Sequence, residues 1–78
     1  MGRRDIYAAR HILARNLRRL RRAQKMTQEQ LANAAELRQA LISELESGKL
    51  NVRIDTLNRL ATALGSSMAQ LFDETKRG

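Results

Sequence analysis

Two glycines, Gly48 and Gly65, lie inside a chain whose apolar residues otherwise recur at helical spacing. Glycine often follows the last turn of a helix because it adopts the left-handed conformation at little steric cost. The chain contains no proline, and its β-branched residues never alternate with polar ones in the way that indicates a strand. These features predict an all-α fold in which one helix ends at each of the two glycines.

Two capping-box sequences indicate where helices begin. Thr27 stands three residues before Gln30, and Ser67 stands three residues before Gln70. At this spacing a hydroxyl oxygen accepts a hydrogen bond from the N3 amide, and the glutamine oxygen accepts one from the amide of the cap residue. We therefore expect one helix to start directly after Thr27 and another to start directly after Ser67.

The apolar periodicity predicts five helices that share one core. They are expected over residues 5–24, from residue 28 for a short stretch, over residues 38–47, around residues 57–64, and from residue 68 onward. The residues expected to be buried include Ile6, Leu13, Leu17, Leu20, Leu31, Leu37, Ile42 and Leu45. Because the helices follow one another without a linker, we predict a single domain, 1–78, that ends in a short polar tail.

The chain is strongly basic, with 15 Lys and Arg residues against 8 Asp and Glu residues, a net charge of +7. Residues 1–26 hold nine basic residues and one acidic residue (+8), whereas residues 27–78 hold six and seven (−1). This asymmetry indicates a polyanionic partner. Four arginines recur at i, i+3, i+4 and i+7 along the first predicted helix, namely Arg15, Arg18, Arg19 and Arg22. We expect this arginine stripe to make non-specific phosphate contacts; the alternative is an ordinary solvated face.

Composition argues against several other classes of protein. The chain has no cysteine and one histidine, His11, so we expect no metal site, no cofactor and no enzyme activity. Its two aromatic residues, Tyr7 and Phe72, are too few to form a stacking platform for single-stranded nucleic acid. No apolar run approaches the roughly 18 residues of a membrane-spanning helix. We therefore expect a cytoplasmic binding protein with no membrane partner.

Residues 28–47 have the pattern of a helix-turn-helix: two short helices joined by a tight turn, with the small residue Ala32 where they approach. Around this unit, over residues 13–72, the sequence resembles the helix-turn-helix family of the Cro and phage repressor proteins, also called the xenobiotic-response-element (XRE) family. The resemblance rests on four motifs in order, which are Leu20-Arg21, Thr27-Gln28-Glu29-Gln30-Leu31-Ala32, Ile42-Ser43-Glu44-Leu45-Glu46-Ser47-Gly48, and Leu57 through Ala63-Leu64-Gly65.

The resemblance implies a compact five-helix, lambda-repressor-like DNA-binding domain. Members of this family are mostly bacterial or phage transcriptional regulators that bind palindromic operators in double-stranded DNA as homodimers. Their third helix lies in the major groove. We therefore expect this chain to be a repressor or autoregulator of transcription.

The resemblance also implies which residues contact DNA. The expected contacts come from the start of the second helix, from the third helix and from the loop that follows it: Thr27, Gln28, Arg38, Gln39, Ala40, Ser43, Glu44, Lys49, Asn51 and Arg53. Gln28 matches a glutamine that clamps a phosphate and braces the reading helix. Arg21 and Glu46 match an internal salt bridge between the first and third helices.

The chemistry of these side chains is consistent with those roles. Glutamine, as at Gln39, makes a bidentate contact with adenine, and alanine, as at Ala40, touches a thymine methyl group. Arg38 has the fork that fits either guanine or a phosphate. Glu44 has two alternatives: it accepts a hydrogen bond from cytosine, or it repels phosphates and so discriminates against wrong sites.

Three positions depart from the family pattern. Lys25 and Glu36 stand at turns where relatives usually have glycine, and a left-handed non-glycine residue costs about 1–2 kcal/mol. Either these two turns differ locally or the strain is tolerated. Arg38 replaces the usual small cap residue before the third helix.

The last predicted helix has two alternative roles. Met68, Leu71 and Phe72 are predicted to form a dimer interface, and the alternative for Leu71 and Phe72 is that they fill the core. Two other functions remain open because they use the same fold: an antitoxin that binds both a toxin and DNA, and a controller of a restriction-modification system.

Overall fold

Five α-helices form within the residues that the computed structural model describes, 7–49 and 51–75. They are α1 (Ala8–Ala23), α2 (Gln28–Ala35), α3 (Gln39–Glu46), α4 (Ile54–Leu64) and α5 (Met68–Leu71). No strand occurs in this part of the chain, and none of its helices is long and apolar enough to cross a membrane. The predicted all-α, five-helix fold is confirmed. Ile6, predicted to belong to the first helix, lies outside the described residues.

Both capping boxes are formed. At the start of α2, the amide of Gln30 donates to Thr27 Oγ1 (3.0 Å), and the amide of Thr27 donates to Gln30 Oε1 (2.8 Å). At the start of α5, the amide of Gln70 donates to Ser67 Oγ (3.2 Å), and the amide of Ser67 donates to Gln70 Oε1 (2.7 Å). Each box therefore provides partners for two amides that the start of a helix leaves without one.

The first four helices end in the same way: a residue with positive φ is followed by an amide that donates to the carbonyl five residues earlier. The left-handed residues are Lys25 (58°), Glu36 (58°), Gly48 (75°) and Gly65 (63°). The donating amides are those of Met26, Leu37, Lys49 and Ser66, at 2.8 to 3.2 Å from their acceptors. This is the Schellman motif, which satisfies carbonyls at the end of a helix. Lys25 and Glu36 thus keep the left-handed turn, and the strain is tolerated.

The core lies between the five helices, and each helix packs mainly against two others. α3 packs against α1 and α2, α4 packs against α2 and α5, and α5 returns to α1. Leu17, Leu31 and Ile42 are fully buried, as predicted, whereas Leu20 and Leu37 are only partly buried at the margin of the core. α2 and α3 are eight residues each, too short to persist alone, so this packing is what keeps them helical.

The last helix is attached to the first by a buried asparagine. Asn16 is 0% exposed, and its Nδ2 donates to the carbonyl oxygens of Leu71 (3.0 Å) and Asp73 (2.9 Å). Leu71 is also 0% exposed, so its predicted place at a dimer interface is wrong: its side chain fills the core. Met68 and Phe72 are partly buried against that core and retain an accessible part.

Replacing Glu36 by glycine is expected to raise the free energy of unfolding by about 1 kcal/mol, because glycine adopts a φ of 58° without the steric cost of a side chain. Urea denaturation measures the change. Glu36→Ala is the matched control, since alanine loses the same side-chain atoms beyond Cβ but keeps the strain, and its stability should stay near the wild type. A Glu36→Gly protein that is less stable than Glu36→Ala would contradict the assignment.

Candidate nucleic-acid interface

α3 has one buried and one exposed face. The buried residues are Ile42, Leu45 and Glu46. The exposed face carries Arg38, Gln39, Ala40, Ser43 and Glu44. Within residues 7–49 and 51–75, none of these five side chains has a hydrogen-bond or ion-pair partner. The structure therefore brings the predicted reading residues together on one surface where their polar groups are available to a ligand.

A salt bridge joins the buried face of α3 to α1. Arg21 Nε lies 2.6 Å from Glu46 Oε2, and Arg21 Nη2 donates to Glu46 Oε1 at 2.9 Å, so the pair is bidentate. The side chains are only 12% and 4% exposed. The hydrogen bond to Glu46 raises the pKa of the Arg21 guanidinium above its usual value, against the opposing effect of burial. The salt bridge implied by the family resemblance is thus present.

Glu46 also connects α3 to α2. The Gln28 amide Nε2 donates to Glu46 Oε1 at 3.2 Å, and Arg21 Nη1 donates to the carbonyl of Met26 at 2.8 Å. Glu46 therefore holds the start of α2 and the end of α3 in fixed positions on α1. Of the two roles expected for Gln28, the bracing contact is present, and its phosphate contact stays a prediction. Thr27 is exposed beside it, at the first turn of α2.

Arg18 also contacts the end of α3, because its Nη1 donates to the backbone carbonyl of Glu46. A cation at a helix C-terminus interacts favourably with the partial negative charge there. Arg18 is the one stripe member for which the described residues show such a contact. The other three, Arg15, Arg19 and Arg22, line a cavity with it on the outer side of α1.

The loop after α3 presents three exposed residues, Lys49, Asn51 and Arg53. Asn51 Oδ1 accepts a hydrogen bond from Arg10 Nη2, and the Arg10 guanidinium lies over the Tyr7 ring at 4.9 Å from its centroid. This loop contact of Arg10 is absent from the sequence-based site. The spacing of three residues between Tyr7 and Arg10 places them on one side of α1 and is a local signal for their stacking alone, not for the contact with Asn51.

Residues 7–49 and 51–75 contain no cluster of three or more His, Asp or Glu side chains that could hold a metal ion. The site consists of amides, guanidiniums, an ammonium group, two hydroxyls and one carboxylate on α3 and its flanks. Such groups bind by hydrogen bonding and charge.

Comparison with known proteins places the chain in a family. A family model described as a helix-turn-helix domain matches residues 12–73. The chain is 39% identical over 72 residues to the HTH-type transcriptional regulator y4dJ of Sinorhizobium fredii, a match that covers 88% of this chain and 94% of y4dJ. It is 38% identical over 68 residues to the proposed antitoxin HigA2 of Mycobacterium tuberculosis, covering 82% and 67%. The crystal structure of the restriction-modification controller protein C.AhdI from Aeromonas hydrophila matches with a TM-score of 0.80 at 34% identity, covering 83% and 98%.

Since the family model matches most of the chain, the chain belongs to the helix-turn-helix family. The exposed face of α3 and the bracing of that helix agree with this membership. The fold and the surface are those of a DNA-binding transcriptional regulator of the Cro and repressor type, as the sequence resemblance implies.

Replacing Glu46 by glutamine is expected to lower the free energy of unfolding by about 3 kcal/mol, because it leaves the largely buried Arg21 without its counter-ion. Glu44→Gln is the matched control: it removes the same charge two residues away on the exposed face, and should change stability by no more than about 0.5 kcal/mol. Urea denaturation of both variants provides the comparison. Equal losses in the two variants would show that the salt bridge does not hold α3 in place.

Proposed function

We propose that this protein is a sequence-specific regulator of transcription that reads a palindromic operator in double-stranded DNA as a homodimer. The observation that carries the proposal is the exposed, unpartnered face of α3, held against α1 and α2 by Glu46. An α-helix fits the major groove of B-DNA, where each base pair presents a distinct set of donors and acceptors. Since its target is genomic DNA, we expect the protein to act in the bacterial cytoplasm.

Gln39 and Ala40 are the proposed base readers. Both lie at the start of α3, the end of a recognition helix that contacts base edges in helix-turn-helix proteins. The Gln39 amide can donate to adenine N7 and accept from adenine N6, and the Ala40 methyl group can contact a thymine methyl group. Ser43 lies one turn further along the same face. Glu44 keeps its two alternatives, a contact to cytosine N4 or repulsion of a misplaced phosphate.

The backbone of the operator is the proposed ligand of residues around α3. Thr27 and Gln28 stand at the N-terminus of α2, where amides and the helix dipole favour phosphate. Lys49, Asn51 and Arg53 supply charge and an amide from the loop on the other side of α3. These contacts carry no base information, but they fix the register of α3 on the duplex.

A homodimer supplies the symmetry that a palindromic operator requires. Two reading helices placed about 34 Å apart enter successive turns of the major groove. Met68 and Phe72 are apolar and partly accessible at α5, and we propose that they contribute to the interface between the two copies.

The relatives suggest two more specific settings. HigA2 is named as a proposed antitoxin, and C.AhdI is a restriction-modification controller; either would still bind DNA through α3. We favour neither over a general regulator. A neighbouring gene for a toxin or for an endonuclease, or a toxin that co-purifies with the protein, would decide between them.

Selection of bound duplexes from a random DNA library is the experiment that tests the function. The expected result is a consensus whose two halves are related by two-fold symmetry and lie about one helical turn apart. Retention of duplexes without any shared sequence would contradict sequence-specific reading.

Gln39→Ala is expected to weaken binding to the selected operator by about 1–3 kcal/mol, because a bidentate base contact is lost. Binding to an unrelated duplex should hardly change. Asn58→Ala, which removes an exposed amide from α4, is the matched control and should change neither affinity. Fluorescence anisotropy with labelled duplexes measures both. If Gln39→Ala weakened the two duplexes equally, Gln39 would not be a base reader.

Met68→Glu is expected to convert the dimer into a folded monomer. The carboxylate would be desolvated in an apolar interface, whereas at the first position of α5 it is compatible with the helix dipole. Sedimentation velocity measures the oligomeric state, and circular dichroism checks that the fold persists. A wild-type protein that stays monomeric at tens of micromolar concentration, even with operator DNA, would rule out the homodimer.

A further inference from the structure

The arginine stripe of α1 extends around the helix away from the edge that meets α3. Arg21, Ala14 and His11 mark that edge, since Arg21 binds Glu46 and a Cβ added at Gly48 would lie 3.7 Å from His11 Cδ2 and 4.0 Å from the Ala14 Cβ. With a rotation of about 100° per residue, Arg18, which donates to the carbonyl of Glu46, lies within this edge. The remaining three, which we call the outer arginines, lie about 40° (Arg22), 60° (Arg15) and 100° (Arg19) beyond Arg18 around the helix.

The outer arginines therefore lie outside the contact that α1 makes with α3. They also lie opposite the apolar side of α1, because Arg15 and Arg22 are about 160–180° from Leu13 around the helix.

These side chains border one half-open depression in the surface of α1. Together with Arg18 they line a cavity of about 340 Å³. The Nε atoms of Arg15 and Arg19 are buried and have no hydrogen-bond partner. The Nη atoms of these two residues likewise have no hydrogen-bond partner among residues 7–49 and 51–75, and these terminal donors remain available to an anion.

Charge repulsion makes the arrangement unfavourable unless an anion binds to it. Like charges at i and i+4 on a helix destabilise it, and the stripe repeats such spacings. The one salt bridge among residues 7–49 and 51–75 is that of Arg21 with Glu46, so in this part of the chain no carboxylate compensates the outer arginines. An arriving anion would relieve the repulsion.

We propose that the outer arginines form a docking surface for an acidic segment of a partner protein, separate from the DNA-reading face. The chain itself contains the pairing that such a partner would reproduce: Arg21 uses Nε and Nη2 to hold the two oxygens of Glu46 at 2.6 and 2.9 Å. Arg15 and Arg19 offer Nη donors of the same kind. Carboxylates on successive turns of the partner would occupy the cavity, and the protein would hold DNA and the partner at once.

The test compares two triple variants of equal charge. The outer variant is Arg15→Gln/Arg19→Gln/Arg22→Gln, and the matched control is Arg38→Gln/Arg53→Gln/Arg59→Gln, which removes three exposed arginines elsewhere. Two probes are used with each: a labelled oligoglutamate peptide and a labelled mixed-sequence DNA duplex, both followed by anisotropy over a range of salt concentrations. Circular dichroism checks folding, which glutamine in a helix should preserve.

We expect the two triple variants to have opposite effects on the binding of the two probes. The outer variant should lose about tenfold in peptide affinity and keep the DNA affinity and its salt dependence. The control should bind the peptide as the wild type does and should bind DNA more weakly. In the wild type, peptide should also bind to the protein–DNA complex.

Two outcomes would overturn the proposal. If the outer variant loses DNA affinity and the slope of log affinity against log salt falls by about 0.9 for each arginine removed, the outer arginines contact the DNA backbone of the same duplex. If both triple variants lose peptide affinity equally, the peptide responds to net charge alone and no docking surface exists at α1.

Discussion

The contact between Arg21 and Glu46 is the interaction on which the arrangement of the helices depends. A carboxylate that is 4% exposed is costly to bury alone, and here three donors compensate it: two from Arg21 and one from Gln28. These donors come from α1 and α2, while the carboxylate comes from α3. One buried charge thereby fixes the relative positions of three helices, and a displaced α3 would leave that charge without partners.

This polar contact suits a helix that has to present one face to a ligand. α3 buries only two large apolar side chains, Ile42 and Leu45, and apolar contact alone permits sliding and rotation because it has no preferred direction. A bidentate pair is directional. Arg18 adds a second fixed point at the carbonyl of Glu46, so the orientation of the exposed residues is determined from inside the protein.

The sequence was informative where partners are close along the chain. The caps at Thr27 and Ser67 lie three residues from their glutamines, and local chemistry predicts them. At Lys25 and Glu36 the sequence allowed either a strained left-handed turn or a locally different one. Tertiary packing decides between them, because it determines whether the strain of a left-handed non-glycine residue is tolerated. Long-range contacts leave no local pattern: Asn16 stands beside the apolar face of α1, and nothing near it in the sequence indicates an acceptor. The buried position of Leu71 has the same cause, because α5 packs against α1 and α4, and α1 is far from α5 along the chain.

The buried amide of Asn16 has a consequence for the order of events during synthesis. Its two acceptors lie 55 and 57 residues further along the chain, almost the whole length of the domain. While the ribosome is still making those residues, α1 has no partner for this amide and no closed core. Both hydrogen bonds therefore form only after α5 and Asp73 have emerged, whereas the contacts that orient α3, from Arg18, Arg21 and Gln28 to Glu46, lie within the first 46 residues and can form earlier.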